Sequence, residues 1–530
     1  MTYFAKAPMP REQMVLFPTR LEDAIPDDHP VRILSELLDA VDWSEWNGEY
    51  HGSRGQPPIP PKVLAGILLY GLRQRVRSSR VLEYLARHNV DFIWLAEGHQ
   101  PDHSTLCEFR TKFHKQLRGL FKQVVRLAQV AGLIRLVEVG FDGTRVRANS
   151  SRHETWTAAK IEKRLADLEV EFARRLEEMK HTDEIEQPLW PADADAERLP
   201  PELATLAKRQ AQLKVALEQV QRMDQARRSE GIDPQSKPAQ IPATDPDSRI
   251  LPNKEGGYAA NYTPLAAADG HKGFLVDVDV INSTDEQSQT AATVDRIEEV
   301  LGEKPEALLA DGLHATGGNI VAMEARGIEL LSPLASQEPG TDHPAWRDNP
   351  QQPITEDLWA NLPINPQSKC LDKSCFLYDA PQDIYYCPLG KPLEFSHRKP
   401  DRRQGERVEL RVYQCASCAG CPLAGKCISS KNRGGRTITR DQYAADRERH
   451  SSKMATETAK QRYARRMWIA ETPFALIKHG FGLRQFLLRG KEKVQAEWLW
   501  AGIGFNIHKL LREIQRLRAK FGEQLATACG

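Results

Sequence analysis

Two short apolar runs, residues 136–142 and 307–311, each end on an aspartate, Asp142 and Asp311, and between them strand and helix signals alternate. That pattern narrows the fold to the α/β class, because strands separated by helices pack as one sheet with helices laid against it. Gly143 and Thr144 make a sharp exit from the first run. Residues 258–268 read as a strand, and within 273–280 Val276, Val278 and Val280 alternate with polar positions, as a sheet strand requires. A helix is predicted over 286–301, the second acid-ended strand over 307–311, a helix from Asn319 and a last strand over 328–331. The predicted order is three strands, helix, strand, helix, strand, then carboxy-terminal helices.

Four divisions follow from the composition: 1–133, 134–335, 336–440 and 441–530. The first is all-helical, with Val63, Ile67, Leu68 and Leu72 on one face. Within it SSRVLEYLARHNVDFIWLAEG followed by PDHSTLCEFRTKF reads as a helix-turn-helix, Asp102 or Ser104 being the N-cap and Arg110, Lys112 and Lys115 facing outward. A plain helical packing unit has the same pattern, so DNA reading and simple packing both stay open here. Heptad-like stretches over 158–180 and 202–228, joined by a loop around 187–201, predict a helical hairpin inserted over about 157–230. Its mixed charges suit a dimer contact or a spacer better than DNA. The stretch 336–440 is rich in Pro, Gly and Cys and reads as a small module of its own. From Lys491 onward Val494, Trp498, Ile507, Leu510, Ile514 and Leu517 keep an amphipathic helical spacing.

The 530 residues carry a formal net charge of only +1, yet residues 431–520 hold 21 Lys and Arg against 8 Asp and Glu. A basic surface of that kind attracts phosphate irrespective of base sequence, although a solvated helix face is equally basic. The start, MTYFAKAPMPREQMVLF, lacks the pattern of a secretory leader, and no apolar run reaches the length of a membrane span. The expected compartment is the cytoplasm. Five of nine cysteines fall between Cys387 and Cys427, which in that compartment points to reduced thiols or metal ligands rather than disulfides. No GxxxxGK[ST] sequence occurs, so no nucleotide cofactor is expected.

Carboxylates on rigid strand ends are the oxygen donors that a pair of hard divalent cations needs, the two ions lying about 3.5–4 Å apart. Asp142 and Asp311 qualify, and Glu471, on a helix in the basic segment, completes a set of three. Asp245, Asp247 and Asp285 compete, but fall in loops where capping a turn is the simpler role. Lys478 lies seven residues after Glu471 and so shares its face on a regular helix. His314 closely follows Asp311, where a turn-stabilising role and contact with substrate are both open.

The segment Tyr463-x2-Arg466-x4-Glu471-x6-Lys478, with FDGTRVRANSS around Asp142 and LLADGLHATGGNI around Asp311, resembles the DDE transposases of bacterial insertion sequences, in the group with a Tyr-Arg-Glu-Lys signature. That group has one residue fewer between Arg and Glu, which leaves Arg465 and Arg466 as alternatives for the arginine. The resemblance implies an RNase H-like catalytic core with an all-helical N-terminal domain, a helical hairpin insertion and a small Cys-rich zinc-binding insertion. It further implies that Asp142, Asp311 and Glu471 hold two Mg²⁺ or Mn²⁺ ions, and that Tyr463, Arg465 or Arg466, and Lys478 contact DNA. Within YYCPLGKPLEF and YQCASCAGCPLAGKC it implies a structural Zn²⁺ on Cys387, Cys418, Cys421 and Cys427, with Cys415 the rival ligand. The implied partners are double-stranded DNA, as transposon ends and target, and a second copy of the chain in a homodimer. The implied setting is the bacterial nucleoid. A DNA-binding protein that has lost catalysis, or an assembly role for the hairpin and Cys-rich module, are the alternatives.

Overall fold

In the computed structural model, which describes residues 20–50, 57–151, 153–186, 201–229, 231–253, 256–334, 343–403, 406–429 and 434–529, the two acid-ended runs lie side by side. The central sheet is built from β1 (Glu138–Gly143), β2 (Tyr258–Asp269), β3 (Leu275–Ile281), β4 (Ala307–Leu309) and β5 (Glu329–Leu331), in the order β3-β2-β1-β4-β5. The pairs β3/β2 and β2/β1 are antiparallel, whereas β1/β4 and β4/β5 are parallel. Short strands Val146–Arg147 and Arg249–Pro252 pair with the first half of β2. All six residues of β1 are buried, as expected of a central strand covered on both faces.

The helices preceding the sheet are α1 (Pro30–Asp39), α2 (Pro61–Arg73), α3 (Ser79–His88), α4 (Val90–Leu95), α5 (His103–Lys112) and α6 (His114–Val130). Asp102 caps α5, its carboxylate accepting from Thr105 N at 2.6 Å. The outward arginine expected on this helix is a correction: Arg110 is buried, donating to Arg77 O at 3.1 Å, while Lys112 and Lys115 are exposed. These helices do not pack as a separate unit. Leu34, Leu68, Trp46 and Phe109 belong to the same continuous core as Val139 and Trp498.

The first insertion is α7 (Ala158–Glu186) against α8 (Pro201–Ser229), longer at its tip than the spacing predicts, with a small core in which Ile161, Leu165 and Leu168 face Leu213, Ala216 and Val220. After β3 come α9 (Thr290–Leu301), β4, α10 (Gly317–Ala325) and β5. The helix expected from Glu286 begins instead at Thr290, because Gln287–Gln289 form a 3-10 turn. The second insertion folds as a five-stranded antiparallel sheet, β6 (Leu377–Asp379), β7 (Ile384–Tyr386), β8 (Pro392–Arg403), β9 (Glu406–Gln414) and β10 (Thr437–Asp441), in sequential order. The chain then returns to the central sheet through α11 (Ala444–Met454), α12 (Glu457–Ala464), α13 (Arg466–Ala475) and α14 (Lys491–Cys529).

α14 ties the halves together. Trp498 Nε1 donates to Leu265 O of β2 at 2.9 Å, Asn506 exchanges hydrogen bonds with the backbone of Leu275 in β3, and Trp500 Nε1 reaches Arg110 O at 3.3 Å. The expected loop at 187–200, the start of the Cys-rich module at Ser336 and the amino-terminal residues 1–19 lie outside the described residues. No helix among the described residues is long and apolar enough to cross a membrane.

Candidate active site

The register between β1 and β4 sets the site. Gly140 pairs with Leu309, so two further residues along each parallel strand bring Asp142 level with Asp311. Asp142 sits in β1 opposite Ala266, buried, with Oδ1 accepting from Gly143 N at 2.8 Å. Asp311 differs from the expectation of a strand-end residue. β4 stops at Leu309, and Asp311 caps the 3-10 turn Gly312–His314, Oδ1 accepting from Leu313 N at 3.0 Å.

Glu471 comes from α13, which lies across β1 and β2. The close approach depends on Gly140, where a Cβ would fall 2.7 Å from Ile469 Cγ2 and 3.1 Å from Ala470 N. Glu471 is exposed, and Arg466 bridges it to the strand: Arg466 Nη2 lies 3.1 Å from Asp142 Oδ2 and Nη1 lies 3.8 Å from Glu471 Oε1. The two arginines left as alternatives therefore part company. Arg465 forms an ion pair with Glu138 Oε2 at 2.6 Å, as Arg462 does with Glu138 Oε1 at 2.8 Å, so both brace the start of β1. Arg466 alone of the three reaches Asp142. Tyr463, on α12, is half-buried, and burial pushes its phenol above the usual range, with the Asp311 and Asp142 charges acting in the same direction and Arg466 against it.

Lys478 and Glu471 do not continue one regular helix. α13 contains Pro473, and from Leu476 to Gly480 the backbone widens into a π turn, which changes the angular step and removes the shared face that α-helical spacing predicts. Lys478 instead turns toward the chain just after Asp142, donating to Thr144 Oγ1 and, at 3.0 Å, to Arg145 O.

The competing acids have structural roles. Asp245 accepts from Tyr262 Oη at 2.8 Å and Gly490 N at 3.1 Å, Asp247 accepts from Lys491 N at 3.0 Å at the start of α14, and Asp285 caps its turn through Ser288 N at 3.4 Å. Sequence reasoning missed Glu286 and Arg145, a buried ion pair at 2.6 Å directly beneath Gly143. A side chain at Gly143 would collide with the Glu286 carboxylate, so Glu286 fixes the turn that leaves Asp142. No spacing rule marks such a pair; only the Gly after the Asp hints that something lies close. His314 is fully buried, 2.9 Å from Thr290 Oγ1, and burial holds its pKa down at about 4, the neighbouring Asp311 opposing and Arg466 reinforcing that shift.

Three carboxylates gathered from two strands and a helix are the donor chemistry of a hard divalent cation. Among the described residues, however, no group of three or more His, Cys, Asp or Glu stands in a ligating arrangement, and Arg466 is the charge that Asp142 and Glu471 now share. A groove of about 1490 Å³ opens beside the Asp311 turn and runs to the Cys-rich sheet, lined by Leu313, Trp346, Tyr378 and Tyr443 among others.

In the Cys-rich module Cys387, Cys415, Cys418, Cys421 and Cys427 line one small cavity. Burial raises the Cys387 thiol and pushes those of Cys415 and Cys427 up to about 12, so they are protonated as they stand. Cys370 and Cys375 are buried elsewhere in the module.

Residues 386–511, which hold Glu471 and this cysteine cluster, match the family model of the transposase DDE domain. Residues 19–112, the amino-terminal helices as far as the end of α5, match a second model described as a transposase domain. No curated protein matches the chain. The two matches flank the sheet that carries Asp142 and Asp311, and they identify the chain as a DDE transposase of the insertion-sequence kind.

Proposed function

We propose that this transposase binds the terminal inverted repeats of an insertion sequence and carries out divalent-metal-dependent strand cleavage and strand transfer, with Asp142, Asp311 and Glu471 as the catalytic carboxylates. The observation that carries the reading is the parallel register that levels Asp142 with Asp311, with Arg466 linking Asp142 to Glu471. The strand order β3-β2-β1-β4-β5, three antiparallel and two parallel, supports an RNase H-like core.

Two Mg²⁺ or Mn²⁺ ions on the three carboxylates would lower the pKa of an attacking water or 3′-hydroxyl and neutralise charge on the phosphorus. The rest falls to the protein. Asp142 and Asp311 present oxygens from a rigid sheet, and Glu471 approaches from a helix whose distance from β1 is set by Gly140. Tyr463, Arg465, Arg466 and Lys478 bind phosphates of the transposon end, Arg466 exchanging its carboxylate partners for phosphate when cations enter. In cleavage a water oxygen bonds to phosphorus and the strand's 3′-oxygen leaves with a proton. In transfer that 3′-hydroxyl makes the same exchange at a target phosphodiester. One P–O bond forms as one breaks, so no nucleotide hydrolysis is needed. Two copies bring two ends together as a homodimer on nucleoid DNA. A Zn²⁺ on Cys387, Cys418, Cys421 and Cys427, with Cys415 as the rival ligand, would hold the Cys-rich sheet, a reading supported by the convergence of all five thiols on one cavity.

The ion pairs of Arg466 with Asp142 and Glu471 also suit a second reading, a DNA-binding protein in which the arginine permanently replaces the cations. One assay separates the two. Labelled duplex carrying the DNA that flanks the gene is incubated with the purified protein in Mg²⁺ or EDTA, beside Asp142→Asn, Asp311→Asn and Glu471→Gln. Nicking at the end that requires Mg²⁺ and falls on the order of 10³-fold in each variant, with end binding kept, is the expected result. End binding without nicking in any metal would establish the silent protein instead.

A further inference from the structure

His314 follows Asp311 on the 3-10 turn, with its ring edge-on to Phe141 at 5.1 Å between centroids and none of its surface exposed. A neutral imidazole has one N–H and one acceptor nitrogen, and its partners decide which is which. Nδ1 lies 2.9 Å from Thr290 Oγ1. That hydroxyl lies 2.8 Å from the carbonyl of Gln287, which can only accept, so the hydroxyl proton points there. Thr290 Oγ1 is then an acceptor, and Nδ1 must be the nitrogen that carries hydrogen. Asn319 holds this arrangement from the other side, its Nδ2 donating to Thr290 Oγ1 at 3.2 Å and to His314 O at 3.1 Å.

Nε2 is left with a lone pair. It is buried, has no hydrogen-bond partner among the described residues, and lies 3.7 Å from Asp311 Oδ1. Two acceptors facing each other do not bond; each needs a donor, and a water is the donor small enough to serve both. Asp311 Oδ1 already accepts from Leu313 N at 3.0 Å. With the Leu313 amide and a shared water both on Oδ1, the other carboxylate oxygen, Oδ2, is the one turned to a cation.

Given the proposed metal-dependent carboxylate site, on which this step rests, we infer that His314 is a positioning residue for Asp311. As the Nδ1–H tautomer it shares one water with Asp311 Oδ1 and so fixes Oδ2 as the metal-facing atom. The three-residue step from Asp311 to His314 is thus part of the site's construction, and Thr290, on the first turn of α9, selects the tautomer.

The test uses the full chain labelled with ¹⁵N-histidine, the His314 resonances being identified by their loss in His314→Gln. A neutral ring protonated on Nδ1 is expected, and Thr290→Val should redistribute the proton between the two nitrogens. In parallel, Mn²⁺ affinity is measured by electron paramagnetic resonance without DNA. His314→Phe, which keeps the ring volume, should bind Mn²⁺ about tenfold or more weakly. His314→Gln, whose side-chain oxygen reaches the Nε2 position, should recover part of the loss, with melting temperature and DNA-end binding as controls on folding. A ring protonated on Nε2, or wild-type Mn²⁺ affinity in His314→Phe, overturns the positioning role alone. Should His314→Phe not fold, the tautomer and its response to Thr290→Val decide. Wild-type protein with no Mn²⁺ binding that Asp311→Asn abolishes would overturn the metal-dependent reading itself, and this role with it.

Discussion

The carboxylate site and the cysteine cavity are assembled in opposite ways. Asp142, Asp311 and Glu471 come from segments far apart in the chain, and what brings them together is a parallel strand pairing and one helix seated on Gly140. The five thiols of the cavity come from residues 387–427, gathered by tight turns such as those where Cys421 N donates to Cys418 O at 3.3 Å and Gly390 N to Cys387 O at 2.8 Å. In the first, like charges are already compensated by Arg466; in the second, neutral thiols sit in an apolar core. A site built from distant segments depends on the whole fold, whereas a local one depends on its own turns and on whatever holds them.

The largest effect should come from the arginines that divide the two sides of β1. Arg466→Ala should lower end cleavage about 10²-fold or more, because its guanidinium is the group placed among the carboxylates. Arg465→Ala, which loses only a half-exposed ion pair to Glu138, should cost less than about tenfold in the same assay. Equal losses would mean that the position of Arg466 beside Asp142 has no catalytic meaning.

Next comes the cysteine cavity. Mass-spectrometric metal analysis should find about one zinc per chain. Cys421→Ser or a strong chelator should remove it and melt the Cys-rich module while the central sheet keeps its hydrogen-exchange protection. Zinc-free protein with the module fully protected would reduce the cavity to ordinary apolar packing.

A smaller effect tests how the distributed site is held. Gly140→Ala places a methyl against Ile469 and the backbone of Ala470, and should destabilise the protein by about 1–3 kcal/mol in denaturant melts, with cleavage falling further than stability because Glu471 is displaced. Cleavage falling only in step with stability would show that the seat of α13 does not set the site.

The smallest effect lies where α2 meets α14. Arg73 Nη1 lies 3.0 Å from His508 Nδ1, and burial, reinforced by Arg73, Arg512 and Lys509, holds the His508 pKa down at about 4, below its ordinary 6.5. The unfolded chain therefore takes up this proton first. Stability present above pH 6.5 should fall as the pH drops toward about 4, and His508→Leu should flatten that part of the melting profile. An unchanged profile in the variant would assign the acid sensitivity to other groups.

How much of this was legible in the residues depends on the same contrast between local and distant. The order of strands and helices, the Asp102 cap, the helical hairpin and the crowding of cysteines all follow from neighbours within a few turns of chain, and they appear in the sequence. Arg110 was misplaced because its inward face is defined by Arg77 and by Trp500 of α14, residues that no local period reveals. The shared face of Glu471 and Lys478 was misjudged because the π turn at Leu476 has no signal in spacing alone.

By itself, then, the sequence determined the α/β class, the sites where acids follow apolar strands and the local cysteine cluster, since each rests on short-range propensity and periodicity. The tertiary structure alone decided that Asp142 stands level with Asp311, that Arg466 and not Arg465 enters the site, that Glu286 and Arg145 support Gly143, and that Thr290 orients His314. Those are choices of register and partner across long stretches of chain. They are settled by which packing buries the most apolar surface while every buried polar group finds its mate, a condition on the whole molecule that no single segment states.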